Sequence, residues 1–152
     1  MDKTPYVYEV LIQTTAPKLW EALTRGEFTR QYWAGQYFET DWKVGSELNH
    51  RMADGGIVIQ GKILVCDPPK TLSYSFDPAQ AGTGRPPTQV TFRLMERKNS
   101  VLLTVIHEGF EPGSPDFRGA AQAWVAILSG LKTLLETGKP LLLDWAEVHS
   151  DK

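Results

Sequence analysis

The sequence has few of the features that mark secreted, membrane-spanning or nucleic-acid-binding proteins. It contains one cysteine, Cys66, in 152 residues, so it can form no intramolecular disulfide and suits a reducing compartment. Acidic and basic side chains nearly balance at a formal net charge of -2, which provides no attraction to nucleic acid or to an anionic membrane. No apolar run approaches the roughly 20 residues of a membrane-spanning helix, and the N-terminal stretch MDKTPYVYEV lacks the apolar segment of a signal peptide. We therefore expect a cytoplasmic protein without nucleic-acid or membrane partners.

Motifs for phosphate binding, nucleophilic catalysis and metal binding are also missing. The segment GTGRPP lacks the spacing of a phosphate-binding loop and precedes a strand rather than a helix. No GxSxG motif is present, and Ser73 and Ser75 are expected to face outward, away from any catalytic partner. Cys66 has no CxxC partner, and two candidate histidines without a nearby third ligand make a poor zinc site. The sequence therefore predicts no metal and no cofactor.

What the chain does contain is the composition of one folded domain. Hydrophobic residues make up 41% of it and charged residues 22%, which is ordinary for a globular protein. We expect a single domain over residues 1–152, with its core at about 6–138 and a short apolar tail at 139–152. Aromatic residues reach 11%, which favours either a large core or an aromatic pocket, and composition does not distinguish the two.

Alternating apolar and polar residues predict a series of strands joined by short turns. These strands cover residues 6–14, 37–42, 46–52, 57–66, 71–76, 89–97 and 101–110. Two short helices are predicted after the first strand: one is capped by Thr15 with Pro17 in its first turn, and the other covers 26–33. Residues 77–87 are rich in proline and glycine and predict a mobile loop.

A long helix is predicted near the C-terminal end of the chain. Ser114 is a suitable N-cap, Pro115 suits the first helical position, and Gly138 is a typical C-terminal stop. One face of this helix carries an apolar stripe, formed by Phe117, Ala120, Ala121, Trp124, Ile127, Leu128, Leu131, Leu134 and Leu135. Strands that follow one another through short turns pair antiparallel, so the sequence predicts an α+β fold in which the stripe covers one face of the sheet.

Six sequence motifs follow one another along the chain: TTAPKLWEALT (14–24), EFTRQYW (27–33), DWKVGSEL (41–48), GKILVCDPPKTLSYSF (61–76), VTFRL (90–94) and LLTVIHEGF (102–110). Together with the long tryptophan-containing helix, they resemble the SRPBCC (START/Bet v 1-like) superfamily, and more specifically bacterial proteins of the activator of Hsp90 ATPase homologue 1-like (AHSA1-like) type. The similarity extends from about Tyr6 to Gly138. It is carried by the order and spacing of the motifs, since none of them is specific alone.

The resemblance implies a helix-grip fold, in which a curved antiparallel sheet wraps around the C-terminal helix and leaves a cavity between them. It also implies several kinds of function. Our first hypothesis is a non-catalytic protein that binds a small hydrophobic or aromatic molecule in that cavity. The alternatives are a stress-response interaction module related to the Hsp90 ATPase activator, and an enzyme on a hydrophobic substrate with a cavity histidine as base. The eukaryotic activator uses an additional N-terminal domain that we do not expect here, so an Hsp90-type chaperone is not the first partner expected.

The candidate ligand-binding residues are those on the predicted inward faces. They are Trp33, His50, Tyr74, Phe76, Phe92, His107, Trp124 and Leu128. The aromatic members could either pack the core or line the cavity. His50 lies in one row with Leu48 and Met52, and His107 ends another. Each histidine could orient a ligand, act as a base, or simply be satisfied by a neighbouring group.

Two surfaces predict a partner protein. The outward row of the last strand, formed by Leu102, Thr104 and Ile106 with Met95 beside it, is more apolar than a solvated face requires. The tail is also apolar, with Leu141, Leu142, Leu143 and Trp145. Either the tail folds over the outward row or a second subunit covers it, and we predict a homodimer.

Overall fold

The computed structural model describes residues 5–79 and 87–148. Its elements follow the chain in the order β1 (Tyr6–Ile12), α1 (Ala16–Thr24), α2 (Gly26–Tyr32), β2 (Tyr37–Glu39), β3 (Glu47–Arg51), β4 (Ile57–Asp67), β5 (Thr71–Ser75), β6 (Asp77–Pro78), β7 (Gln89–Glu96), β8 (Val101–Glu108), α3 (Pro115–Thr137) and α4 (Trp145–Val148). This is the predicted α+β arrangement, with a long C-terminal helix on an antiparallel sheet.

The described strands form one curved antiparallel sheet in the order β1-β8-β7-β5-β4-β3-β2, with β6 paired to β4. The long strand β4 connects the two halves of the sheet, because its first part pairs with β3 and β6 and its second part pairs with β5. The register shifts between Ile63 and Val65, and an irregularity of this kind bends and twists a strand. Gly61 lies close to the point where β4 changes its partner from β3 to β5. The backbone of Ser75 approaches it there too closely for any side chain.

Helix α3 packs its apolar stripe against the concave face of the sheet, but only over part of its length. The Ser114 hydroxyl accepts from the backbone N–H of Phe117, Pro115 occupies the first turn, and Gly138 ends the helix with a left-handed φ of 79°. From Trp124 to Leu134 the stripe is buried, and Leu135 is partly buried. Phe117 and Ala120, in the first half of the helix, are only half-buried. The N-terminal half of the helix is therefore free to line a cavity.

The two short helices close the other end of the core. The Tyr32 hydroxyl of α2 donates to the carbonyl of Ala22 in α1 at 2.7 Å and is buried. Gly130 allows α3 to approach Tyr32, since a Cβ at position 130 would lie 3.1 Å from the Tyr32 Cβ. Thr15 caps α1 as predicted, because its side chain accepts from the backbone N–H of Lys18.

Some predicted boundaries and faces are wrong. Strand β2 ends at Glu39 instead of residue 42, because the chain turns there and Trp42 takes a left-handed φ of 63°. Met52 does not share the inward row of Leu48 and His50, since the register shifts between His50 and Arg51 and leaves Met52 exposed. Ser73 faces outward as predicted, but it is buried there: its hydroxyl pairs with that of Thr91 at 3.0 Å on the convex face of the sheet.

The predicted loop 77–87 contains one short element. Asp77 and Pro78 form β6 beside Ile59 and Gln60 of β4, so the segment begins as an edge strand instead of a loop. Residues 80–86 of this prediction lie outside the described residues, as do 149–152 of the predicted tail.

Candidate functional site

A cleft of about 680 Å³ separates the N-terminal half of α3 from the part of the sheet formed by β4 and β6. Asp116, Ala120, Ala123, Trp124 and Ile127 line it from the helix, at the spacing of one helical face. Sheet residues that line it include Val58, Ile59, Gln60, Phe76, Asp77 and His107. A cleft of this size is typical of sites for small organic molecules.

Aromatic rings form one wall of this cleft. The Trp124 ring lies edge-on to Trp33, with centroids 5.4 Å apart, and 6.3 Å from Phe76. Phe92 packs behind Trp124 at 5.8 Å. Trp33, Phe76 and Trp124 all line the cleft, and Trp145 of α4 reaches it from the tail. Trp33 and Phe92 pack edge-to-face on Trp124, and Phe76 packs edge-to-face on His107. Such contacts hold each ring in a defined orientation, so the wall is preformed.

His107 lies at the inner end of this wall, within a chain of hydrogen bonds. The Trp124 indole N–H donates to His107 Nδ1 at 3.0 Å, and an indole nitrogen can only donate. Nδ1 is therefore unprotonated, and the neutral ring carries its proton on Nε2, which lies 3.1 Å from Thr88 Oγ1. The Thr88 hydroxyl donates in turn to the carbonyl of Phe76. A catalytic base would use the Nδ1 lone pair of His107, but this lone pair already accepts the hydrogen bond from the Trp124 indole.

His50 lies deeper, in a second chain. Its Nδ1 is 3.2 Å from Oε1 of Gln36, which can only accept, so the ring proton is on Nδ1. Its Nε2 accepts from the Tyr74 hydroxyl at 3.0 Å. Phe38 stacks on the imidazole with centroids 4.0 Å apart. His50 and Tyr74 are fully buried, so only Gln36 connects this chain to the cleft.

Burial determines the charge of both histidines. Desolvation lowers the pKa of His50 to about 3 and that of His107 to about 3, because an apolar environment disfavours the imidazolium. Burial also raises the pKa of the Tyr74 hydroxyl. Both imidazoles are neutral at physiological pH and serve as fixed hydrogen-bonding groups rather than as proton acceptors.

These two histidines predict a loss of stability in mild acid. Their folded pKa values lie below the unfolded value of about 6.5, so the unfolded chain binds more protons as the pH falls. The stability they confer is complete above about pH 6.5 and is lost towards pH 3, by up to about 1.4 kcal/mol per pH unit for each group. Urea unfolding at a series of pH values measures how steeply the free energy of unfolding falls with pH.

The substitution His107→Gln isolates one of the two contributions. A glutamine oxygen can accept from Trp124 while its amide donates to Thr88, and it does not titrate. We expect the acid-dependent loss between about pH 6 and pH 4 to fall by roughly half, since His50 remains. An unchanged slope in this variant would show that the pKa of His107 is not depressed.

The structure separates the eight candidate residues into two groups. Trp33, Phe76, His107 and Trp124 line the cleft. His50, Tyr74, Phe92 and Leu128 are buried behind it and do not border it. Sequence reasoning missed the polar lining residues, which are Gln36, Gln60, Asp77, Thr88, Glu111, Ser114 and Asp116. Five of these lie in turns or at strand ends, where no periodic pattern marks an inward face.

Two properties of the cleft restrict what it can hold. No Lys or Arg is present among its described lining residues, and both neighbouring histidines are neutral. Within residues 5–79 and 87–148, no cluster of three His, Cys, Asp or Glu side chains could hold a metal ion.

None of the described helices is long and apolar enough to span a membrane.

A curved antiparallel sheet gripping a long C-terminal helix, with a cleft between them, defines the helix-grip class of the SRPBCC superfamily. The family described as Activator of Hsp90 ATPase homolog 1-like protein matches residues 13–136. The chain belongs to this family, as its motifs indicate. Family and fold are those of ligand-binding or interaction domains.

Solved structures share the fold over nearly the whole chain. Protein MLL2253 from Mesorhizobium loti is 27% identical, with a TM-score of 0.75, over 88% of this chain and 97% of that one. The Aha1 dimer from Colwellia psychrerythraea is 21% identical, with a TM-score of 0.74, over 90% and 98%. CalU16 from Micromonospora echinospora is 20% identical, with a TM-score of 0.71, over 97% and 82%. No curated protein sequence matches the chain.

Proposed function

We propose that this protein binds a small, uncharged, hydrophobic or aromatic molecule in the cleft, without transforming it. The observation that carries the proposal is the preformed aromatic wall of Trp33, Phe76 and Trp124 beside a cleft of about 680 Å³. Burial of apolar ligand surface there provides about 25 cal/mol per Å². The occupied lone pair of His107 supports binding over acid–base catalysis.

The direct experiment is native mass spectrometry of the freshly purified protein, followed by extraction of any bound molecule. Equilibrium dialysis with ethylnaphthalene, an apolar aromatic probe, measures the capacity of the cleft when no native ligand survives purification. The proposal expects saturable binding of one probe per chain. Absence of any saturable binding would contradict it.

Filling the cleft is expected to remove this binding. Ala123 lies near the centre of the helix face that lines the cleft, and Ala123→Phe projects a ring into the space that a ligand would occupy. We expect at least about a tenfold loss of ethylnaphthalene affinity, equivalent to about 1.4 kcal/mol. Equilibrium dialysis of the folded variant measures the loss.

Val125→Phe is the matched control on the same helix. Val125 is 49% exposed and lies outside the cleft, so the same ring added there leaves the cleft open. Affinity for ethylnaphthalene is expected to remain unchanged in this variant. Equal losses in both variants would place the probe outside the cleft.

A second candidate function, an interaction module acting as a homodimer, is supported by the convex face of the sheet. Val7, Leu11 and Met95 are each more than half exposed there, at 52%, 53% and 58%. Leu11, Leu102 and Met95 form one cross-strand row, and exposed rows of this kind are common at interfaces.

The occupant that fits this face is a second copy of the chain. Glu9 and Arg93 both lie beside Thr104 in the neighbouring cross-strand row, and a two-fold axis through the face can bring Glu9 of one copy against Arg93 of the other. Trp145 lines the cleft, so that part of the tail is directed there. Sedimentation velocity tests the arrangement, and a monomer at all concentrations would exclude it.

A further inference from the structure

Gln36 is held in place by three hydrogen bonds. It lies between α2 and β2, where its backbone N–H donates to the carbonyl of Trp33 at 2.8 Å. Its own carbonyl accepts from the Thr29 hydroxyl at 2.9 Å. Its side-chain Oε1 accepts from His50 Nδ1 at 3.2 Å. Both the backbone and the amide plane of Gln36 are therefore fixed at the edge of the cleft.

The amide nitrogen of Gln36 is the group that remains available. Within the described part of the chain, its Nε2 makes no hydrogen bond. No buried side-chain nitrogen or oxygen there lacks a partner, so this nitrogen is accessible, and Gln36 lines the cleft. A primary amide nitrogen carries two N–H donors and no acceptor. The cleft thus presents a fixed donor close to the aromatic wall.

The orientation of this donor is determined behind the cleft. The buried Tyr74 hydroxyl has one hydrogen-bonding partner among the described residues, His50 Nε2 at 3.0 Å, so it donates to Nε2 and the His50 ring proton is on Nδ1, which faces Gln36 Oε1. A reversed amide would present its N–H groups to a protonated Nδ1, which has no lone pair for them. Tyr74 and His50 are therefore positioning residues for the Gln36 amide. A donor fixed before binding loses little conformational entropy when a ligand arrives.

We infer that the cleft selects neutral aromatic ligands that carry a carbonyl-type acceptor next to the ring, with the acceptor bound by the Gln36 amide N–H. The inference rests on the proposed function and specifies its ligand class. Charge argues against a carboxylate, because the described lining carries three acidic side chains, Asp77, Glu111 and Asp116. A ketone, ester or amide oxygen meets the geometry without requiring a counter-charge.

Two probes that share the naphthalene ring and differ by one oxygen atom test this inference. Acetylnaphthalene carries a ketone oxygen, and ethylnaphthalene has the same ring without an acceptor. The substitution Gln36→Met preserves the length of the side chain and removes the donor. We expect it to weaken acetylnaphthalene binding by about three- to tenfold, the range for one hydrogen bond, and to leave ethylnaphthalene binding unchanged. Equilibrium dialysis of each probe against each variant gives the ratio of affinities.

Gln60→Met is the matched control. Gln60 also lines the cleft, from β4, but no side-chain hydrogen bond fixes its amide among the described residues. The ratio of affinities is expected to remain that of the wild type in this variant. Tyr74→Phe removes the hydroxyl behind His50 and leaves the cleft lining unchanged, so it is expected to reduce acetylnaphthalene affinity in part and to leave ethylnaphthalene affinity unchanged.

The outcomes separate this inference from the proposed function. If wild-type protein binds neither probe, the proposed function fails and the inference fails with it. If ethylnaphthalene binds but Gln36→Met leaves the ratio of affinities unchanged, only the inference is overturned. Tighter binding of naphthoate than of acetylnaphthalene by the wild type would also overturn it, because the site would then favour an anion.

Discussion

Replacing Trp124 with alanine is expected to lower the free energy of unfolding by about 3–5 kcal/mol, the range for a fully buried Trp. The indole is 2% exposed and contacts the rings of Trp33, Phe92 and His107. Alanine would also leave His107 Nδ1 without its donor, and an unpaired buried polar atom adds to the cost. Urea unfolding at neutral pH measures the loss.

Trp124→Phe separates packing from the hydrogen bond. Phenylalanine retains an aromatic ring in the cluster but has no N–H for His107. We expect a smaller loss than for alanine, together with a rise in the pKa of His107, because its Nδ1 lone pair becomes available to a proton. A loss below about 1 kcal/mol for Trp124→Ala would mean that the indole does not belong to the core.

Gly61→Ala is expected to be similarly damaging for a different reason. A Cβ at position 61 would lie 1.7 Å from the carbonyl oxygen of Ser75 and 2.8 Å from its carbonyl carbon. Both contacts are with backbone, so no side chain can rotate away, and the backbone of Gly61 must move away from Ser75 next to the β4–β5 pairing, whose terminal pair is Ile63 and Tyr74. We expect a loss above about 3 kcal/mol, beyond the usual cost of overpacking, measured by urea unfolding or by failure to obtain folded protein.

Gly119→Ala provides the contrast in the same chain. Gly119 lies within α3, and an added Cβ there would meet no atom within 4 Å. Alanine in a helix interior is favoured over glycine by about 0.5–1 kcal/mol, so this variant is expected to gain stability. A Gly61→Ala variant as stable as the wild type would show that β4 and β5 can separate at that point without cost.

The fold could be predicted from sequence because its signals are local. Helix α3 carries its end signals in its own sequence: it begins at Ser114 and Pro115 and ends at Gly138. Alternation in β7 and β8 identifies Val90, Phe92, Leu103 and Val105 as inward residues, and all are buried. A predicted strand boundary was wrong where the backbone conformation of a single residue ends the extended chain, as at Trp42 with its left-handed φ.

The site could be predicted only in part because its connections are not local. Trp33, Phe76 and Trp124 lie on periodic faces, and the sequence identifies them as inward-facing. The link from Tyr74 through His50 to Gln36 joins residues far apart in sequence, and no local pattern records it. His50 was a candidate ligand contact, but its position behind Gln36 depends on the curvature of the sheet. Burial of Ser73 depends in the same way on its cross-strand neighbour Thr91.

The placement of tryptophan gives this protein a built-in optical reporter. Three of its five tryptophans, Trp33, Trp124 and Trp145, line the cleft. Indole emission shifts with local polarity and is quenched by energy transfer to nearby chromophores. Any molecule that enters the cleft must displace water from these rings or lie against them. Occupancy can therefore be followed by intrinsic fluorescence, without a label, in the unmodified chain.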